Sequence, residues 1–272
     1  MQLSDHFTYR KLLRFTLPSV VMMVFTSIYG VVDGFFVSNF TGSLPFAAIN
    51  LIMPFPMILG AVGFMVGTGG NALVAMRLGQ GEAEEANRIF SLLIYLLVGV
   101  GALISAAGVL LLRPVSLLLG ATEEMLPFCL SYGRILLLGL VPFMLQNVFQ
   151  SFMITAERPG LGFGITVAAG VANMALDALF LAVFGWGVVG AAVATVIAQA
   201  ASFVAAYLYM RSRYPIFRFR LSEYRWSGPH IHSTVVVGMP ISLQLNFTGV
   251  YRMWDSDIVP TMPRPCMAVR DG

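Results

Sequence analysis

Charge is scarce in this chain: 11% of its 272 residues are Asp, Glu, Lys or Arg, while 58% are hydrophobic. A soluble domain carries roughly a quarter charged residues. One of this length could not hide so much apolar surface, because much of its exterior must face water. Cysteine is nearly absent, and Cys129 and Cys266 are too few and too far apart for a disulfide framework. With only three histidines beside them, the chain lacks the His/Cys set that holds a structural or catalytic transition metal. Fifteen of the sixteen basic residues are Arg, and they come in short intervals rather than in a nucleic-acid-binding run. No HExxH helix and no GxSxG elbow appears, so hydrolytic enzymes have no foothold, and neither an enzymatic activity nor a cofactor is expected. What abounds is apolar: 21 Phe, 16 Met, 27 Gly and a mean hydropathy of +0.82.

That apolar content is arranged in long runs. After a polar, basic stretch from Met1 to Arg14, the first extends from Phe15 to about Val37, beyond a signal-peptide core and with no small-residue cleavage site after it. Others follow at about 45–76, 89–112, 126–154, 161–184, 188–210 and 231–250, each long enough to cross a bilayer. Lipid offers the backbone no hydrogen bonds, and the strict alternation of barrel strands is absent, so the runs are expected to be helices. The predicted class is an all-α integral membrane protein. It has a six-helix lobe over 1–210, a basic linker over 211–230, the start of a seventh helix over 231–250 and an aberrant polar tail over 251–272.

The intervals between runs set the orientation. Lys11, Arg10 and Arg14, then Arg77 and Arg88, Arg158, and Arg211, Arg213, Arg218, Arg220 and Arg225 all fall on one side. Arg113 and Arg134 fall on the other, and the turns near Thr41 and Trp186 carry none. The positive-inside bias therefore predicts a cytoplasmic N-terminus, in a plasma (inner) membrane. The linker's mix of Arg and aromatics suits anionic headgroups, and nucleic acid is not expected as a partner. An offset of 222 aligns Pro18 with Pro240, Phe25 with Phe247, Tyr29 with Tyr251 and Asp33 with Asp255. Six crossings separate the two prolines, so this is a parallel repeat whose second copy begins and then collapses into charge and proline.

Of thirteen acidic residues, only Asp33 and Asp177 sit well inside predicted helices. A carboxyl within a membrane is costly and marks a candidate functional site. Asp33 lies about one turn from the outer end of the first run and Asp177 about two turns from that of the fifth, so both belong to the outer half at similar height. Tyr29 and Asn173 each precede one of them by four residues, on the same helix face. Tyr132 and Thr195 fall at comparable depth on the fourth and sixth helices. Together these oxygens and amides suit a proton or a hard monovalent cation, with Na⁺ placed at Asp33, Asn173 and Asp177. Gln146, Gln150 and Gln199 are candidate pathway residues, with interhelical hydrogen bonding as their alternative role. Gly67-Thr-Gly-Gly70 imitates a phosphate loop, but within an apolar run, and with Gly63 one turn earlier, it reads as close helix packing.

Several segments carry a family resemblance. Leu17-Pro18, Val32-Asp33-Gly34-Phe35-Phe36-Val37, Arg77-Leu-Gly-Gln-Gly81, Asn173-Met-Ala-Leu-Asp177 and the Gly187 to Gln199 segment together resemble the multidrug and toxic compound extrusion (MATE) transporters. The resemblance implies two six-helix lobes around a central cavity. It further implies export of cationic or amphipathic compounds in exchange for H⁺ or Na⁺, with Pro18 bending the first helix. In prokaryotic, damage-inducible-like members the first lobe's cation site uses residues matching Asp33, Tyr29, Tyr132, Asn173, Asp177 and Thr195. A full member has about twelve spans, so this chain is expected to be a truncated or frameshifted form lacking the second lobe that normally completes the transporter. The alternatives are a related flippase for lipid-linked saccharides, which would need a more basic cavity, and a non-transporting receptor or assembly protein.

Overall fold

A computed structural model describes residues 24–25, 28, 30–155, 159–213, 230–240 and 243. Tyr29, Pro18, Cys266, most of the 211–230 linker and the 251–272 tail lie outside the described residues, as do most of the paired positions of the repeat. Among the described residues every regular element is helical. In chain order they are α1 (30–41), α2 (Ser43–Ile52), α3 (Pro54–Gly79), α4 (Ala83–Leu118), α5 (Leu126–Leu138), α6 (Leu140–Thr155), α7 (Pro159–Asp177), a π-helical turn (Ala178–Val183), α8 (Gly187–Arg213) and α9 (230–240).

Among the described residues the helices agree with the apolar runs but differ at their breaks. α2 and α3 form one span from Ser43 to Gly79, articulated at Met53 because Pro54 and Pro56 open the second segment without amide donors. The run at 126–154 is expected as one continuous helix, yet it is bent by 49° between α5 and α6. Pro142 supplies the cause, since its ring cannot donate to the Leu138 carbonyl and collides with it in a regular helix. The break is also held from outside. Ser105 Oγ of α4 donates to the Leu137 carbonyl at 2.5 Å, tying the end of α5 to α4 beside the bend. Gly139 lets α8 approach, because a Cβ there would meet the Val196 side chain at 2.4–3.1 Å of its carbons.

One face of α4 is a buried ladder of Phe90, Leu93, Ile94, Leu97, Gly101, Ser105, Gly108 and Leu112. The opposite face is no more polar: Leu103 is 71% and Leu110 80% exposed. A helix with leucine on both sides needs apolar material outside as well as inside. The molecule is a multi-pass membrane protein, with four helices able to cross a bilayer, or five with the bent pair, among the described residues.

Packing between helices cannot rely on expelling water in lipid and so relies on close fit. Phe90 stands edge-on to Phe149 and Phe152, with ring centroids 5.9 and 4.9 Å apart, joining α4 to α6. Gly63 and Gly67 of α3 press against Met144, Val148 and Ser151 of α6, where a side chain would find no room. The stretch that imitates a phosphate loop is thus a helix seam.

Candidate functional site

Alternating traverses place the α1–α2 turn, the α4–α5 turn and the π-turn–α8 connection at one end of the bundle, the arginine-poor end. Asp33, Tyr132, Asp177 and Thr195 each lie roughly six to eight residues from that end on their own helix, about 9–12 Å at 1.5 Å per residue. Asp33 is deeper than its sequence suggests. The first apolar run ends near Val37, whereas α1 continues to Thr41, with Thr41 Oγ1 and Asn39 Nδ2 donating back to the Val37 and Phe35 carbonyls of their own helix.

The two aspartates meet. Their side chains come within hydrogen-bonding reach of each other across α1 and α7. An ionised carboxylate only accepts, so a hydrogen bond between the two requires a proton on one of them. Asp177 is 0% exposed, and Oδ1 of Asp33 is buried without a hydrogen-bond partner among the described residues. Asn173, one turn before Asp177 on α7, is buried, as is Tyr132 on α5. Thr195 Oγ1 donates to the Ala191 carbonyl of α8 at 3.0 Å, which turns its lone pairs outward from that bond. Tyr132, Asn173, Asp177 and Thr195 are all engaged by neighbours. α8 packs along both α7 and α5, so the three helices surround the same depth.

The glutamines are divided. Gln150 Nε2 donates to Thr166 Oγ1 at 3.0 Å, tying α6 to α7. Gln146 lies one turn away on the same helix face, with Oε1 buried and unpaired among the described residues. Gln199 is half-buried one turn beyond Thr195. No group of three or more His, Cys, Asp or Glu that could hold a metal occurs among the described residues.

Sequence reasoning missed the π-helical turn directly after Asp177. Such turns insert a residue into the helix and are frequent at functional sites. The aromatic spacing of Phe180, Phe184 and Trp186, whose ring centroids lie 5.0–6.0 Å apart with Phe180 stacked on the other two, was the available signal. Gly190 permits it, since a Cβ there would press on Phe180 and Trp186.

Comparison with known proteins decides the family. The model described as MatE matches residues 18–179. The chain belongs to the MatE family. Among MATE relatives it is similar to the multidrug export protein MepA of Staphylococcus saprophyticus, 24% identical over 242 residues. It is likewise similar to the same-named protein of Staphylococcus aureus, 22% identical over 246 residues. Each alignment covers 89% of this chain and 54% of the relative, so the chain spans about half the length of these curated relatives. Two solved structures have the same fold. A multidrug resistance MATE family transporter of the MOP superfamily in an inward-facing conformation gives a TM-score of 0.78 at 24% identity, over 84% of this chain and 52% of the other. A MATE structure in a bent conformation gives 0.79 at 25%, over 91% and 56%. MATE proteins are transporters, not enzymes.

Proposed function

We propose that this MATE chain supplies the ion-coupling half of a secondary antiporter that exports cationic or amphipathic compounds in exchange for H⁺ or Na⁺. The observation that carries this reading is the close approach of the Asp33 and Asp177 side chains, a carboxyl pair able to share a proton inside a membrane-spanning bundle. Asn173 and Thr195, with Tyr132 and Tyr29, complete the coupling site. Gln146, Gln150 and Gln199 line the way to it. The arginine distribution orients the N-terminus to the cytoplasm of the plasma membrane, which puts the carboxyl pair in the outer half.

The chemistry follows from differential binding. A proton, or Na⁺ on the same oxygens, joins the pair and favours the arrangement in which α1 and α7 touch. Loss of the ion leaves two negative charges in contact, which favours a separated arrangement able to receive a cation. Substrate and coupling ion then bind different states, and each lowers the other's apparent affinity by the same factor. A membrane potential contributes about 2.3 kcal/mol per charge per 100 mV to such a switch.

Proton release on substrate addition tests this. Tetraphenylphosphonium added to the purified chain in weakly buffered micelles should release protons, read by a pH indicator. The release should disappear when Asp33 and Asp177 are both replaced by Asn. Equal release from the doubly substituted chain would remove the pair from the coupling role.

A further inference from the structure

Arg113 of α4 and Arg134 of α5 are exposed, and neither makes an ion pair or a side-chain hydrogen bond among the described residues. They lie within the spans rather than beyond them. Arg113 is about 8 Å inside the Leu118 end of α4, and Arg134 about 12 Å inside the Leu126 end of α5, at 1.5 Å per residue. A guanidinium on a lipid-facing wall is costly unless it reaches the interface or meets an anion. The carboxylates of the intervening turn, Glu123 and Glu124, are exposed and pair with neither.

The packing of α4 on α5 sets the two arginines side by side. A Cβ on Gly133 would press on the Leu112 side chain at 2.7–3.4 Å, and one on Gly108 would meet Leu137 at 2.9 Å. Position 112 thus meets 133 and position 108 meets 137, an antiparallel pair. Arg113 and Arg134 each follow a contact residue by one position, so their heights differ by only about 3 Å. One residue turns a helix by about 100°, and between antiparallel helices that turn carries both side chains to the same side of the pair. Tyr132, the residue before Gly133, is turned the other way and is buried. The arginines therefore stand on the outside of the bundle. Toward the membrane centre the same face is apolar: Leu110, three residues from Arg113, and Leu138, four from Arg134, are both exposed. Ser131, one turn outward of Arg134, is exposed as well.

We propose that this face binds the phosphate of an acidic phospholipid in the leaflet at the arginine-poor end of the bundle. Arg113 and Arg134 clasp the phosphodiester in charge-assisted hydrogen bonds, and Ser131 adds a hydroxyl donor from the outer side. One acyl chain then lies along Leu110 and Leu138 toward the membrane centre. An acidic headgroup fits better than a zwitterionic one, whose ammonium would bring a third positive charge beside the two. The occupant is a lipid rather than a soluble anion, because both arginines lie within the spans and the surface continuing from them is apolar. The site is on the opposite side of α5 from Tyr132, so it rests neither on the coupling reading nor on the orientation of the chain.

Lipid-specific fluorescence quenching in the full chain tests it. A bimane label is carried on Leu110→Cys in a background with Cys129→Ala and Cys266→Ala. The chain is reconstituted in phosphatidylcholine vesicles, and nitroxide-labelled phosphatidylglycerol or phosphatidylcholine is added at equal fractions. Phosphatidylglycerol should associate about fivefold more tightly at this position, as one arginine–headgroup contact gives. Arg113→Gln with Arg134→Gln should abolish the preference. A label on Val183→Cys, exposed at the same end on the π-helical turn, should show no preference in either chain and reports an intact bundle. Equal quenching by the two lipids at position 110, a preference that survives loss of both arginines, or the same preference at position 183 would overturn the proposal. Poor quenching by both lipids at position 110 relative to 183 would also overturn it, since protein would then cover the face. So would loss of the preference in inorganic phosphate but not in chloride of equal ionic strength, which would make the site one for a soluble anion.

Discussion

Asp33 and Asp177 show how depth along a helix becomes chemistry. Each was legible as a carboxyl set in an apolar run, because burying a charge in lipid is too costly to occur without a partner or a purpose. Their mutual contact was not legible, since it depends on how α1 and α7 face each other. The proton proposed to be shared between them has a spectroscopic consequence. The infrared spectrum of the chain should contain a hydrogen-bonded carboxylic C=O band that shifts in D₂O. Asp177→Asn should remove or displace that band, while Glu82→Gln should leave it in place. Glu82 is the right control because it forms an exposed ion pair with Arg77 at 2.7 Å, a pairing worth at most about 1 kcal/mol. A band unaffected by Asp177→Asn would mean that no proton is held between the two aspartates.

Helices were readable from the apolar runs, and their articulations were not. Pro142 is visible in the sequence, but a proline inside a membrane helix can kink it slightly or break it. The outcome depends on what satisfies the freed carbonyls. Here Ser105, thirty-two positions earlier, reaches the Leu137 carbonyl, and Gly139 admits Val196 of α8 into the bend. Ser105→Ala should lower stability by about 0.5–1.5 kcal/mol, the net worth of one buried hydrogen bond. Gly139→Ala should cost about 1–3 kcal/mol through overpacking against Val196. Thermal unfolding in micelles reads both, with Gly79→Ala, at a position open to solvent or lipid, as the neutral comparison. The π-helical turn after Asp177 belongs to the same class of feature: its aromatics are in the sequence, but their stacking on Gly190 is a tertiary event.

At the scale of the whole molecule, leucine on both faces of α4 and arginine at one end of the bundle carry the membrane reading. The orientation can be checked with single cysteines and a membrane-impermeant maleimide. A cysteine at Gly81, in the α3–α4 turn, should react only from the cytoplasmic side, and one at Thr122, before α5, only from the outside. The opposite pattern would invert the bundle. The sequence by itself determined the membrane class, the positions of the spans among the described residues, the family resemblance and the two candidate carboxyls. All of these follow from local composition, where the solvent selects which residues a span can hold. The tertiary structure alone decided that the two carboxyls approach each other, that the 126–154 run is bent, and that Arg113 and Arg134 leave the α4–α5 pair on the same side. Those depend on which helix faces meet, and in lipid that choice rests on close fit between side chains and backbones far apart in the chain, which apolar periodicity does not encode.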